Sequence, residues 1–142
     1  MRLVDANVLL YAVNADSAQH RTARRFLEES LSGRETVAFA WTVLLAFLRV
    51  STRAGIFRDP LEVDEASAYV GAWLDQPISV VLSPTDRHFQ VLSELLASAG
   101  TGGNLTSDAH LAALAIEHGA EIWSFDRDFA RFAGLTAHVP AP

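Results

Sequence analysis

The sequence contains no cysteine in its 142 residues. Disulfides, iron–sulfur clusters and thiolate metal sites are thereby excluded, and any bound metal must be held by oxygen or imidazole. Lysine is absent as well; all eleven basic residues are arginine. GC-rich coding accounts for that bias and for the many alanines, and the competing reading is that arginine forks serve phosphate contacts. No apolar run approaches the ~20 residues needed to span a bilayer. The opening "MRLVDANVLL" has an acid where a secretory signal would be apolar. A cytoplasmic protein without membrane contact is the expectation. Positive charge is scarce: the formal net charge is −6 and there is no basic tail. That counts against a general nucleic-acid binder with a basic face, but not against an enzyme that meets phosphates through a metal. No P-loop, dinucleotide glycine fingerprint or Ser–His–Asp arrangement is found.

What is present is an alternation of short apolar strands and helical patterns, which predicts a parallel α/β sheet. Residues 2–6, 36–41, 78–82 and 121–125 read as strands, and "LTAHV" (135–139) as an edge strand. Helices are expected over 7–14, over 17–31 with Ser17 as cap, from a Thr42 cap to Gly55, and over about 61–75 after Pro60. Three more are expected: from about Pro84 to Gly100, over 105–119, and over the short "DRDFARF". "TGGN" (101–104) reads as a turn. No repeat or linker interrupts the chain, so 1–142 is expected to be a single domain, long enough to bury roughly two-thirds of its unfolded surface.

Most acids sit where acids belong. Glu28, Glu29, Glu62, Asp64, Glu65, Glu94 and Glu117 are expected on exposed faces or in first turns. Others sit against apolar neighbours. Asp5 lies in or just after the first strand, as a helix cap or as a carboxylate in the crevice at the strand ends. Asp108 interrupts an apolar stripe of Leu105, Leu111, Ala112 and Ala115, or is a first-turn acid favoured by the helix dipole. Asp126 ends the fourth strand and can cap the helix beginning at Arg127, with Asp128 two residues on. A parallel sheet would fold these ends to one side. Two carboxylates ~4 Å apart repel by about 4 kcal/mol at an effective dielectric near 20. With no lysine and no cysteine, a divalent cation is the simplest compensation. Hard Mg²⁺ or Mn²⁺ takes carboxylate and water oxygens, and its chemistry suits phosphodiester hydrolysis.

"LVDANVLLYAV" and, later in the chain, "LTSDAHLAALAIEHGAEIWSFDRDFARF" together resemble the PIN-domain ribonucleases, specifically the VapC-type toxins of VapBC toxin–antitoxin pairs. The resemblance runs over nearly the whole chain. It implies a three-layer α/β/α sandwich around a mainly parallel sheet. It implies a Mg²⁺- or Mn²⁺-dependent endoribonuclease acting on cellular RNA, a cognate VapB-type antitoxin, and a toxin homodimer. The family's metal-site acids fall on Asp5, Asp108 and Asp126. Asn7 and Ser124 fall at polar positions beside the first and last of these, where they could hydrogen-bond a carboxylate or a water. One departure stands out. Many members carry a glutamate three residues before an arginine on the helix after the second strand; here, before Arg49, that position is Ala46. Three accounts stand: three acids suffice, with Asp128 as a fourth; the alanine inactivates; or the protein binds without cutting. The intact flanking pattern favours the first.

Arg49 interrupts an apolar helix and is a candidate partner for a carboxylate or a guard of the cleft. Arg21, Arg24 and Arg25 are expected to balance Glu28 and Glu29 at helical spacing. The five histidines show no metal-ligand spacing and are expected to be surface or satisfied groups. Trp41, Phe47 and Trp73 are expected in the core, with a partner-helix groove as the alternative. The leading function is a metal-dependent endoribonuclease; the alternative is a catalytically silent RNA- or antitoxin-binding protein. A phosphoacceptor receiver also gathers acids at strand ends, but it needs a site lysine that this chain lacks.

Overall fold

The computed structural model describes residues 1–100 and 105–142; the turn expected at 101–104 lies outside them. Five short strands form one sheet: β1 (Arg2–Val4), β2 (Val37–Phe39), β3 (Ser79–Val81), β4 (Glu121–Trp123) and β5 (Ala137–His138). Their order is β3-β2-β1-β4-β5 and every pairing is parallel. Parallel neighbours need crossovers, and helices supply them: α1 (Ala6–Val13), α2 (His20–Ser32), α3 (Trp41–Ser51), α4 (Val63–Leu74), α5 (His88–Ala99) and α6 (Leu105–His118). A short 3-10 helix, Arg127–Arg131, joins β4 to β5. This is the expected α/β/α sandwich, with an entirely parallel sheet.

The centre of the sheet is apolar on both faces, as parallel strands covered by helices must be. Leu3, Val4, Val37, Ala38, Phe39 and Ile122 are all fully buried. Phe47 from α3, Leu114 from α6 and Phe129 from the 3-10 helix close over them. Each such side chain contributes on the order of 2 kcal/mol by leaving water. Phe47 and Trp73 join this core, as expected. Trp41 does not: it is 53% exposed at the start of α3.

Several element ends differ from the sequence expectation, each for a local reason. Strands β1 to β4 are three residues long instead of five or six; after β1 and β2 the chain turns at once into the next helix. Helix α3 starts at Trp41 after Ala40, without a side-chain cap, so Thr42 is inside the helix. It stops at Ser51 rather than at Gly55. Helix α2 starts at His20; the Ser17 hydroxyl accepts from the Gln19 N–H in a turn ahead of it. Helix α4 opens on a capping box between Glu62 and Glu65, which fixes its start at Val63 rather than near Pro60. Pro84 precedes α5 by four residues. Gly119 ends α6 with φ 66°, a left-handed turn that glycine makes without steric penalty, and the chain re-enters the sheet as β4.

Glu117 departs most from expectation. The sequence predicts a solvated acid, yet the side chain is fully buried between α5 and α6. It accepts from the Thr85 N–H and hydroxyl and pairs with His88 Nδ1, whose other ring nitrogen meets His110 Nδ1 at 2.9 Å. Burial alone would push this carboxyl up. The bonds from Thr85 and His88 outweigh it, and the net shift is downward.

Candidate active site

In open parallel sheets, ligands bind beyond the carboxyl ends of strands, where the strand order changes direction. Here that point is between β1 and β4: the chain runs outward from β1 to β2 and β3, then returns to β4 and β5 on the other side. The register Leu3↔Ile122 and Val4↔Trp123 continues one step and sets Asp5 beside Ser124. Helices between parallel strands run back against them, so the N-terminus of α6 also comes to this end of the sheet. It carries Asp108 in its first turn.

Asp5 does two things at once. One oxygen accepts from the Ala6 N–H at 2.7 Å and caps α1. The other accepts from the Ser124 hydroxyl at 2.7 Å. The helix-cap reading is thus met by one oxygen, while the other ties Asp5 to the end of β4. Ser124, 1% exposed, is the hub: its oxygen also accepts from Asn7 Nδ2 and from the Asp126 N–H, each at 3.0 Å. Asn7 Oδ1 accepts from the Phe125 N–H at 3.1 Å. Asn7 and Ser124 thus clamp the ends of β1 and β4 together and aim Asp5. Asp126 turns its own carboxylate to the Asp128 N–H at 2.9 Å, capping the 3-10 helix.

The acids feel one another. Asp5 is raised from the ordinary carboxylate value chiefly by burial; the Ser124 and Ala6 bonds pull it down, and the charge on Asp126 pushes it up. Asp108 is pushed up to about 6, first by burial, then by the charges of Asp126 and Asp5, with Asp128 adding to them. Arg131 opposes that rise. Its guanidinium stands 3.8 Å from the Asp108 carboxylate. The sequence expectations do not include Arg131, although a signal existed: in "DRDFARF" it comes three residues after Asp128, one turn of a 3-10 helix. Arg49, by contrast, is exposed on α3 and makes no ion pair among the described residues. Ala46 is half-buried on the same helix.

A family model for the PIN domain matches residues 2–135. This chain belongs to the PIN-domain family. Among its PIN-domain relatives, Ribonuclease VapC37 of Mycobacterium tuberculosis is 51% identical over 140 residues, which are 99% of this chain and 97% of that protein. Two solved structures share the fold. VapBC2 from Rickettsia felis, bound to a DNA fragment from its promoter, gives a TM-score of 0.72 at 16% identity over 97% of each chain. VapC20 of Mycobacterium tuberculosis, a sarcin–ricin loop cleaving toxin, gives 0.68 at 22% identity over 96% of this chain and 99% of that one.

Among the described residues, no three acidic or imidazole side chains converge, as placed, into a set that would ligate one ion directly. The donor chemistry nonetheless fits a hard cation. The charge of Asp126 acts on both Asp5 and Asp108 at this end of the sheet, and Mg²⁺ characteristically takes one or two carboxylates and keeps several waters.

Proposed function

We propose that this PIN-domain protein is a metal-dependent endoribonuclease of the VapC type, with Asp5, Asp108 and Asp126 as its metal-site acids and Asp128 beside them. One observation carries the reading. Asp5 and Asp108, more than a hundred positions apart in sequence, come to the same end of the sheet, where the charges of Asp5 and Asp126 help to raise Asp108 and the charge of Asp126 helps to raise Asp5. A fold that gives up stability to crowded carboxylates needs a compensating positive charge. A bound Mg²⁺ or Mn²⁺ supplies Lewis acidity toward a phosphoryl group and toward water.

The chain's own residues prepare that chemistry. Ser124 and Asn7 lock the Asp5 rotamer before substrate arrives, so little reorganisation remains. Asp108 enters from a separate element and completes the negative field. Because the acidic molecule repels RNA at long range, the cation is also what admits a polyanion. A VapB-type antitoxin partner and a toxin homodimer belong to this reading, in line with relatives solved as VapBC complexes. So does a cytoplasmic location, where cellular RNA is met. No helix among the described residues is long and apolar enough to cross a membrane.

The deciding experiment compares wild type with Asp5→Asn on total RNA in Mg²⁺ or Mn²⁺. Asparagine caps a helix about as well as aspartate, so the variant keeps α1 and removes the charge. Cleavage by wild type alone is expected; equal cleavage by both rejects the site. The second reading, a silent binder, rests on Ala46. Mn²⁺ binding with no turnover on any RNA would establish it in place of the first.

A further inference from the structure

Arg131 is not one of the metal-site acids or their hydrogen-bond partners, and its geometry is unusual for a cation in an acidic crevice. It ends the 3-10 helix, where residues three apart eclipse, so it stands over Asp128 on the edge that faces the start of α6. The next residue, Phe132, is buried against Phe129, and the Arg131 guanidinium lies over the Phe132 ring at 5.5 Å from its centroid. That stacking fixes the plane of the fork. Its approach to Asp108 is 3.8 Å, too long for a hydrogen bond. Among the described residues the fork makes no hydrogen bond at all, and the side chain is 38% exposed. It is also the only cation, among those residues, to pair with any of the four acids.

A guanidinium whose role was to lock Asp108 would close the distance and pair through two parallel bonds. This one is held near the carboxylate while its side chain stays 38% exposed. We propose that Arg131 is a phosphate-binding residue of the active site: it counterbalances Asp108 in the free protein and engages the non-bridging oxygens of an RNA backbone phosphate when substrate enters. The inference rests on the nuclease reading and adds a substrate contact to it. It also gives a local resolution of the charge problem, since a fixed and permanently ionised fork sits at the edge of a crevice that otherwise repels phosphate.

The test compares wild type, Arg131→Gln and Arg131→Lys at saturating Mn²⁺, on one RNA oligonucleotide across a range of monovalent salt. Mn²⁺ affinity without RNA is measured in parallel by electron paramagnetic resonance, and thermal unfolding monitors the fold. For Arg131→Gln, KM is expected to rise about 10-fold, and its log–log salt dependence to fall by about 0.7, the share of one single-strand phosphate contact. Mn²⁺ affinity should hold or rise, because a competing cation has gone. Arg131→Lys should recover the salt dependence but only part of KM, since it restores the charge without the fork. An unchanged KM and salt slope in Arg131→Gln would overturn the assignment while leaving the nuclease intact. Parallel loss of Mn²⁺ affinity and melting temperature would overturn it in favour of a structural role. Failure of the wild type to cut any RNA would overturn both readings together.

Discussion

Ser124 is worth more to this protein than its size suggests. Its hydroxyl donates to Asp5 while accepting from Asn7 and from the Asp126 N–H. Ser124→Ala should therefore leave a buried carboxylate short of one donor and two donors short of an acceptor. We expect a loss of about 2 kcal/mol in urea unfolding, together with weaker cleavage, since Asp5 would no longer be aimed. Asp108 should behave in the opposite sense. Its value of about 6 lies above the ordinary 3.8, so the folded chain keeps this proton where the unfolded chain has lost it. The stability it contributes is full below pH ~4 and declines as pH rises toward 6. In chelator at neutral pH, Asp108→Asn should therefore be more stable than wild type by about 1 kcal/mol, a few degrees in Tm. The difference between the two should vanish as pH falls below 4, which melting curves across pH 3–8 would reveal. Both aspartates are legible in the sequence because each breaks an apolar pattern. The hub role of Ser124 is not, since a serine at a strand end breaks nothing; only the family resemblance pointed there.

At the level of elements, the pairing of α5 with α6 depends on a group the sequence hid. Glu117 sits near the end of a helix-forming run, where an exposed acid is ordinary. Its burial comes from α5 docking across it and bringing Thr85 and His88 to its oxygens. Because its folded value lies below the usual 4.5, this contact contributes stability above pH ~4.5 and loses it as pH falls through the folded value. His88→Ala should cost about 2 kcal/mol at pH 7, the scale of a hydrogen bond to a charged group. That cost should shrink as acid protonates Glu117, as chemical denaturation from pH 7 into strong acid would test. The strands show a related limit. Their apolar character was legible, but β1 and β4 end earlier than the pattern runs, because Asp5 begins the cap of α1 and the Phe125 N–H turns to Asn7 ahead of the Asp126 cap.

For the whole molecule, the governing quantity is charge held in one place. The net charge is −6, and four of the acids belong to the β1–β4 end of the sheet; on the proposed reading the folded state would bind a divalent ion there. Millimolar Mg²⁺ should raise Tm by the linkage expected of a ligand that binds only the folded chain. The rise should be smaller in Asp108→Asn, and calorimetry with and without chelator would measure it; equal rises in both would detach Asp108 from the ion. The sequence alone determined the alternation of strands and helices, the parallel sheet and the identity of the acids that break apolar runs, because those come from local periodicity and from which side chains tolerate burial. It did not determine that Asp5 lies in register with Ser124, that Glu117 is interior, or that Arg131 reaches Asp108. Those depend on strand order and helix docking, contacts between residues far apart in the chain, and nothing in a local pattern records which distant side chain will supply the missing hydrogen bond or the opposite charge.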